Sequence, residues 1–166
     1  MSTADLLDEI RSELPLRTLS RFDHDDARRL GEAAASIAER EGLAITVRVT
    51  RGLQCVFHLS FAGTTAEHDD WVRRKINTAL RHEVPSLEFV LRQELAGQLP
   101  GWLDPLEYAV AGGAIPLVVD GNVVGAIAVS GLVGSIREDH DLAVAALRST
   151  RAQPIPRDGE QVSHPA

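Results

Sequence analysis

A run of basic and polar residues near the middle of the chain has the spacing of one helix face. Four of these residues recur at intervals of three and four, which places them on the same side of a helix. They are Arg74, Asn77, Thr78 and Arg81, with Arg73 and Lys75 beside them. Such groups can bind a phosphate or carboxylate through charge-assisted hydrogen bonds. A solvated surface is the more common role of such a stripe, so both interpretations stand.

A glycine-containing loop, Gly131-x-x-Gly134, follows an apolar run and precedes a helical one. It lacks the G-x-G-x-x-G pattern of dinucleotide-binding proteins and the G-K-[ST] ending of a P-loop. Free backbone N–H groups at the start of the following helix can still hold an anion. Alternatively, the loop is a strand-to-helix connection that needs small residues.

The histidines form no complete metal site in the sequence. His24 and His68 are each followed by two aspartates at a predicted helix start, where acidic groups favour capping. Neither has a second ligand one helical turn away, as the H-E-x-x-H motif does. His140 follows the glycine loop and lies between two aspartates. Its imidazole can ligate a metal or relay a proton; otherwise it is a surface residue.

Nucleophilic catalysis has little support. Cys55 alternates with Phe57 and Leu59 on an apparently apolar strand face, which predicts a buried structural thiol rather than a nucleophile. No serine occupies a G-x-S-x-G elbow, and no triad is evident. Trp71 and Trp102 are expected to anchor the core or an interface. These residues on their own therefore establish no reaction.

Hydrophobic periodicity divides the chain into helices and hairpins. Apolar residues at helical spacing predict helices at about 5–14, 25–41, 66–83, 86–96 and 136–149. Two-residue alternation around a turn predicts a hairpin over 45–61. A second hairpin, over 114–130, is apolar at nearly every position and should lie centrally. The predicted fold class is α+β, with an antiparallel sheet flanked by helices.

Length and composition bound the possible functions. A chain of 166 residues with 44% hydrophobic and 25% charged side chains fits one globular domain, over 1–150. The net charge of −7 argues against nucleic acid as a partner, since phosphate recognition uses clustered positive charge. One cysteine, no signal peptide and no apolar run of about 20 residues predict a cytoplasmic protein without a membrane segment. The end of the chain, 151–166, is expected to be disordered.

Two ordered motifs resemble those of a known family. The first comprises Gly63-Thr64-Thr65, Asp70 to Lys75 and Asn77; the second comprises Asp104-Pro105, Tyr108, Gly112 to Leu117, Gly125 to Leu132 and Asp139-His140. Together they are similar to the heme-degrading or heme-binding domain proteins of the GlcG and HbpS type. These proteins are related to the C-terminal domain of PduO corrinoid adenosyltransferases. The resemblance covers about 5–147, nearly everything but the tail.

The resemblance implies a profilin-like or PAS-like three-layer α-β-α fold, homo-oligomers, and a small, flat, anionic ligand such as heme or another tetrapyrrole. The ligand would lie between the helix that carries Trp71 and the loop 130–140. The residues expected to contact it are Arg74, Lys75, Asn77, Tyr108, Gly112, Gly113, Ser130, Gly131 and His140. Arg74 and Lys75 would pair with carboxylates, and His140 would be the metal ligand or polar anchor.

The chain departs from the family pattern at two positions. Ala111 stands where the family has a histidine before the paired glycines, so coordination of iron would fall to His140 or His82. Ile115 replaces a phenylalanine, which removes a stacking partner for a flat ligand. Heme degradation would need bound heme, a reductant and an open iron face, none of which the sequence shows. The alternative function is an oligomeric protein-interaction or scaffold module without small-molecule chemistry.

Overall fold

Six helices and five strands make up residues 1–152, the part of the chain that the computed structural model describes. In chain order they are α1 (Thr3–Ser12), α2 (Leu14–Arg17), β1 (Thr18–Leu19), α3 (His24–Glu41), β2 (Thr46–Arg51), β3 (Gln54–Ser60), α4 (Ala66–His82), α5 (Ser86–Ala96), β4 (Ala114–Val119), β5 (Asn122–Ser130) and α6 (Glu138–Ala152). Every helix predicted from periodicity is present. Because α6 runs to Ala152, the first two residues of the expected tail are helical; the rest, 153–166, lies outside the described residues.

Capping side chains and a glycine fix the ends of α3 and α4. Thr65 is the N-cap of α4, and its hydroxyl oxygen accepts a hydrogen bond from the N–H of Glu67. His68 Nδ1 accepts the N–H of Thr65 in return. The sequence pattern Thr64-x-x-Glu67 predicts a capping box with Thr64 as the N-cap. The structure has it one residue later, with Thr65 and His68. Gly42 ends α3 with a φ of 65°, a conformation that other residues rarely adopt.

The strands form one sheet in the order β1-β4-β5-β2-β3. Neighbouring strands are antiparallel, except that the two-residue β1 pairs in parallel with β4. Both predicted hairpins are confirmed, as β2–β3 and β4–β5. The β4–β5 hairpin lies centrally, as its continuous apolar sequence predicts. Strand β3 is an edge strand and is largely exposed.

Helices cover both faces of the sheet and complete three layers. The main core lies between one face and helices α3 and α6, around residues such as Val47, Ile127 and Leu142. Helix α4 packs on the other face, where Ala126 and Ala128 allow it to approach closely. Helices α1 and α5 pack on each other beside it. The α+β, three-layer prediction is confirmed. No helix within residues 1–152 is both long enough and apolar enough to cross a bilayer.

A β-bulge in the β2–β3 hairpin makes one prediction wrong. Phe57 pairs with Val49, whereas Cys55 pairs with Thr50, so the ladder skips Val56. The extra residue turns Cys55 to the opposite face of the sheet from Phe57, and its thiol is exposed. The expectation of a buried Cys55 assumed strict two-residue alternation, which fails at this point.

Candidate functional site

The basic stripe of α4 fastens the segment 104–110 to the helix. Five of its side chains donate hydrogen bonds to this segment. They are Arg73 to the Leu106 carbonyl (2.7 Å), Arg74 to the Pro105 carbonyl (3.4 Å), Asn77 to the Glu107 carbonyl (2.9 Å), Thr78 to the Ala109 carbonyl (2.8 Å) and Arg81 to the Tyr108 hydroxyl (3.1 Å). Three predicted site residues, Arg74, Asn77 and Tyr108, thus lie along the contact between α4 and the segment 104–110. There they contact other residues of the chain rather than a ligand.

Arg74, predicted to pair with a ligand, already has a carboxylate partner. Its Nε lies 2.7 Å from Asp70 Oδ2, and its guanidinium lies 4.1 Å from the centre of the Trp71 ring. Arg73 binds the other oxygen of Asp70 and also Glu107. Hydrogen bonds from Arg73 and then Arg74 lower the pKa of Asp70 and keep it ionised. An anionic ligand would therefore compete with Asp70 for Arg74.

Lys75 is buried, with only 2% of its surface exposed. Its Nζ donates to Asp139 Oδ2 at 2.8 Å and to the Val129 carbonyl at 3.0 Å. Asp139 Oδ1 accepts the N–H of Leu132 at 3.0 Å. Burial lowers the pKa of Lys75, and the charge of Asp139 opposes that change. The pair joins α4 to the first turn of α6 and leaves Lys75 without access to solvent.

The glycines predicted to line the ligand site instead allow other segments of the backbone to pack closely against them. Cβ atoms placed on Gly112, Gly113 and Gly131 would lie 2.7, 2.4 and 2.4 Å from backbone carbonyl oxygens of other segments. Gly113 and Gly131 also have φ angles of 126° and 144°, which side chains disfavour. Ser130 is buried and pairs with Thr46 in the sheet. At these positions the glycines allow close packing between loops and strands, and the close contacts given for them are with the chain itself.

His140 is fully buried, at 0% exposure. Its Nε2 lies 2.7 Å from Glu13 Oε2, which ties α6 to the junction of α1 and α2. Its Nδ1 is also buried and has no hydrogen-bond partner among residues 1–152. Within the same residues, no group of three or more His, Cys, Asp or Glu side chains could hold a metal ion. His140 is therefore an isolated candidate ligand inside the core.

A cluster of rings at the end of α4, which no spacing in the sequence indicates, surrounds the other candidate histidine, His82. His82 stacks on Phe89 with ring centroids 4.6 Å apart, and the ring of Trp102 lies 5.5 Å from it. Tyr108 contacts Trp102 edge-on at 5.9 Å. The guanidinium of Arg81 lies 3.9 Å from the centre of the Trp102 ring. These five residues, Arg81, His82, Phe89, Trp102 and Tyr108, form the aromatic cluster.

His82 has an available nitrogen within the aromatic cluster. Its Nε2 is buried and has no hydrogen-bond partner in the described part of the chain. Burial lowers the pKa of His82, and the charges of Arg81 and Arg92 lower it further. The lowered pKa favours the neutral imidazole, in which one of the two ring nitrogens carries a lone pair. Trp102, which contacts it, is 46% exposed and lies in the loop between α5 and the segment 104–110.

Comparisons with known proteins cover most of the chain. The sequence model of a family described as "Haem degrading protein HbpS-like" matches residues 22–148. A UPF0303 protein of Streptomyces avermitilis is 35% identical over 150 residues, which span 88% of this chain and 91% of the relative. The crystal structure of the Ybr137w protein has a TM-score of 0.79 and 23% identity, covering 90% of each chain. The structure of a PduOC:heme complex has a TM-score of 0.65 and 19% identity, over 79% of this chain and 95% of that one. At these identities the two structures show a shared fold.

Proposed function

The chain belongs to the HbpS-like family of haem-degrading proteins, and we propose from this premise that it binds heme or a related tetrapyrrole. The family match carries the proposal, because residues 22–148 include α4, the aromatic cluster and every residue predicted to contact a ligand. The PduOC:heme complex adds support as a heme-bound protein of the same fold. The name of the Streptomyces relative assigns no chemistry.

The aromatic cluster fits such a ligand better than the other groups described. The iron of a bound heme would need a donor from the protein, and His82 would offer an imidazole whose Nε2 has no hydrogen-bond partner within residues 1–152 and whose pKa is lowered. Trp102 and Tyr108 supply aromatic surface for a flat macrocycle, and Arg81 supplies a cation for a carboxylate. Because Trp102 contacts His82, binding would require its loop to move.

The residues predicted from the family resemblance would each have to give up an existing contact. Arg74 would have to leave Asp70, and Lys75 would have to leave the buried Asp139. His140 would have to leave Glu13 or be reached through the core at Nδ1. A buried charge left without its partner is strongly unfavourable. We therefore assign the ligand role to His82, with His140 as the alternative that the experiment below distinguishes.

A hemin titration followed by Soret absorbance tests the proposal. All variants carry Cys55→Ser, because the exposed thiol can itself ligate heme iron. We expect a saturable shift in this background and at least a roughly tenfold weaker affinity in His82→Ala, equivalent to about 1.4 kcal/mol. His24→Ala is the matched control, since His24 is exposed at the start of α3.

The outcomes separate the candidate ligands. An affinity that is unchanged in His82→Ala and lost in folded His140→Ala would return the ligand role to His140. Equal losses in His82→Ala and His24→Ala would indicate unspecific binding to surface histidines. A folded protein that gives no saturable shift would contradict heme binding by this chain.

Four exposed apolar side chains that lie close together in the sequence support a second proposal, self-association. They are Leu95, Leu99, Trp102 and Leu106, which are 55%, 54%, 46% and 75% exposed. Large apolar side chains gathered in one surface segment are typical of protein interfaces. We expect Leu106→Glu to reduce the molar mass measured by light scattering, with Val133→Glu, which is 96% exposed elsewhere, as the control. A monomeric wild type, or equal masses for both variants, would contradict the proposal.

The self-association test also separates the two functions. A stable multimer that binds no hemin would support the protein-interaction or scaffold module. The same proposal includes a cytoplasmic location, because the only cysteine of the chain is exposed and unpaired, a state that a reducing compartment preserves. Fractionation of cells that express the tagged full chain checks this location.

A further inference from the structure

A narrow cleft lies between α4 and the β2–β3 hairpin, on the face of the sheet that α4 covers. It forms because α4 packs over β4, β5 and β2 and leaves the edge strand β3 uncovered. Its lining includes Arg48, Thr50, Cys55, Ile76, Asn77 and Leu80, and it shares no residue with the aromatic cluster. The cavity volume is about 70 Å³. A water occupies about 30 Å³ in the liquid, so the cleft admits a group of a few heavy atoms.

The hydroxyl of Thr50, unpaired within the described residues, is the first sign that a ligand binds in this cleft. Thr50 lines the cleft, is 4% exposed, and its Oγ1 makes no hydrogen bond to any residue of 1–152. The other buried threonine hydroxyls on this side are satisfied: Thr46 bonds to Ser60, and Thr78 donates to two carbonyl oxygens. Native proteins rarely leave a buried hydroxyl unpaired, because its hydration is lost without compensation.

Arg48 gives the cleft its available positive charge. Its Nε donates to His58 Nδ1 at 3.1 Å, and its two terminal nitrogens have no partner within the described residues. The nearby carboxylate of Asp69 accepts a hydrogen bond from Ser60 and pairs with His58, and the charge of Arg48 also helps to lower the pKa of that carboxylate. Arg73, which also lines the cleft, is neutralised by two carboxylates. Within residues 1–152 the two terminal nitrogens of Arg48 therefore remain available to donate hydrogen bonds to an anion.

The rest of the lining selects the kind of anion. Ile76 is buried, Leu80 is half-buried in the same apolar cluster, and Leu53 lies at the exposed rim. These side chains favour an aliphatic group over a fully hydrated ion. A single free guanidinium pairs well with one carboxylate, whose two oxygens match its fork of N–H donors. Phosphate would leave more charge uncompensated in the same space.

We propose that this cleft binds the carboxylate end of a short aliphatic group. The carboxylate pairs with the terminal nitrogens of Arg48 and accepts the hydroxyl hydrogen of Thr50, while the aliphatic part packs on Ile76 and Leu80. The group is either a free short-chain carboxylic acid or a side arm of a larger ligand, such as the propionate of a tetrapyrrole. The site does not depend on the aromatic cluster; binding of a free acid goes beyond the function proposed above, whereas binding of a tetrapyrrole side arm rests on it.

Cys55 provides a site-specific probe, because it is the only cysteine in the chain, is exposed and lines the cleft. The rate of its reaction with the neutral reagent N-ethylmaleimide is measured on the full chain with increasing butyrate, at constant pH and ionic strength. We expect butyrate to slow the reaction saturably. Arg48→Gln and Thr50→Val should each weaken the apparent butyrate affinity by about tenfold, as expected for loss of a hydrogen bond to a charged group. Arg40→Gln, at an exposed position of α3, is the charge-matched control.

A second arm uses hemin in place of butyrate. Protection of Cys55 by hemin alone, lost in Arg48→Gln and Thr50→Val, would assign the carboxylate to the side arm of a larger ligand. No protection by either compound, or protection equal in wild type and in both variants, would overturn the proposal. Thermal melts followed by circular dichroism confirm that the variants are folded. Butyrate protection without a Soret shift would keep this inference and contradict heme binding, so the two proposals fail separately.

Discussion

His82 and His140 share one feature and differ in what covers it. Each imidazole has a buried nitrogen without a hydrogen-bond partner among residues 1–152. His140 is enclosed by core helices and held by Glu13 at 2.7 Å, whereas His82 is covered by Trp102, which is itself 46% exposed. An unpaired nitrogen alone therefore does not mark a ligand site. The energy needed to remove its cover decides whether binding can occur.

The same contrast extends to the surroundings of each histidine. The start of α6 is fixed by two buried polar contacts, Lys75 to Asp139 and His140 to Glu13. Apart from the buried bond from Thr78 to the Ala109 carbonyl, the side-chain hydrogen bonds that hold the segment 104–110 next to the aromatic cluster lie at the surface of α4. Exposed contacts of this kind contribute little to stability individually. We therefore expect a rigid core around His140 and a cover over His82 that opens locally.

The largest expected effect concerns the buried ion pair of the rigid region. Lys75→Met removes the partner of Asp139, whose side chain is 11% exposed, and leaves that carboxylate without a countercharge. We expect the free energy of unfolding to fall by about 3–5 kcal/mol in urea denaturation. Adding Asp139→Asn should recover part of the loss, because the uncompensated charge is gone. A loss below about 1 kcal/mol for Lys75→Met would contradict the rigid core that we expect around His140.

The second prediction compares the two histidines directly. His140→Ala leaves a cavity in the core and an unpaired Glu13, so we expect it to cost about 2–4 kcal/mol. His82→Ala removes a half-buried ring whose Nε2 has no hydrogen bond to lose within residues 1–152, and we expect a cost of about 1 kcal/mol or less. Urea denaturation of both variants under one condition measures the difference. Equal losses would remove the distinction between the two regions.

The fold was largely predictable from the sequence because local periodicity decides it. The helix of 86–96 was predicted at its observed bounds, and the turns at Gly52 and Gly121 mark both hairpins. The bulge at Val56 was not predictable, since nothing in the alternating pattern of β3 shows that one residue is extra. Its consequence, an exposed Cys55, depends on the pairing partner in another strand.

The site was less predictable because its contacts join distant parts of the sequence. The polar residues of α4 were identified, but their partners in 104–110 and the pairing of Lys75 with Asp139, 64 positions away, follow only from the tertiary structure. The aromatic cluster gathers single rings from α4, α5 and two loop positions. The one available signal was that Trp102 and Tyr108 are rare residues, with two tryptophans and one tyrosine in the chain.

A smaller effect is expected at Thr78, which holds the segment 104–110 next to the loop of Trp102. Thr78→Val removes hydrogen bonds to the carbonyl oxygens of Arg74 and Ala109, and should lower the free energy of unfolding by about 1 kcal/mol. Hydrogen exchange in the segment 104–110 should accelerate, while that of α6 should not change. Thr50→Val is the matched control: its hydroxyl has no partner within residues 1–152, so stability should stay constant or rise. Faster exchange in α6 would contradict independent opening of the cover.

The smallest effect is the dependence of stability on pH at His82. Burial, with Arg81 and Arg92, lowers the pKa of His82 in the folded protein below its ordinary value of 6.5. The unfolded chain therefore binds this proton more readily, and stability is lost as the pH falls through 6.5 towards the folded pKa. In His82→Gln the free energy of unfolding should fall less steeply than in wild type over this window, while other titrating groups contribute equally to both. If the two curves run parallel, the ring of His82 is as hydrated as in the unfolded chain, and Trp102 does not cover it in solution.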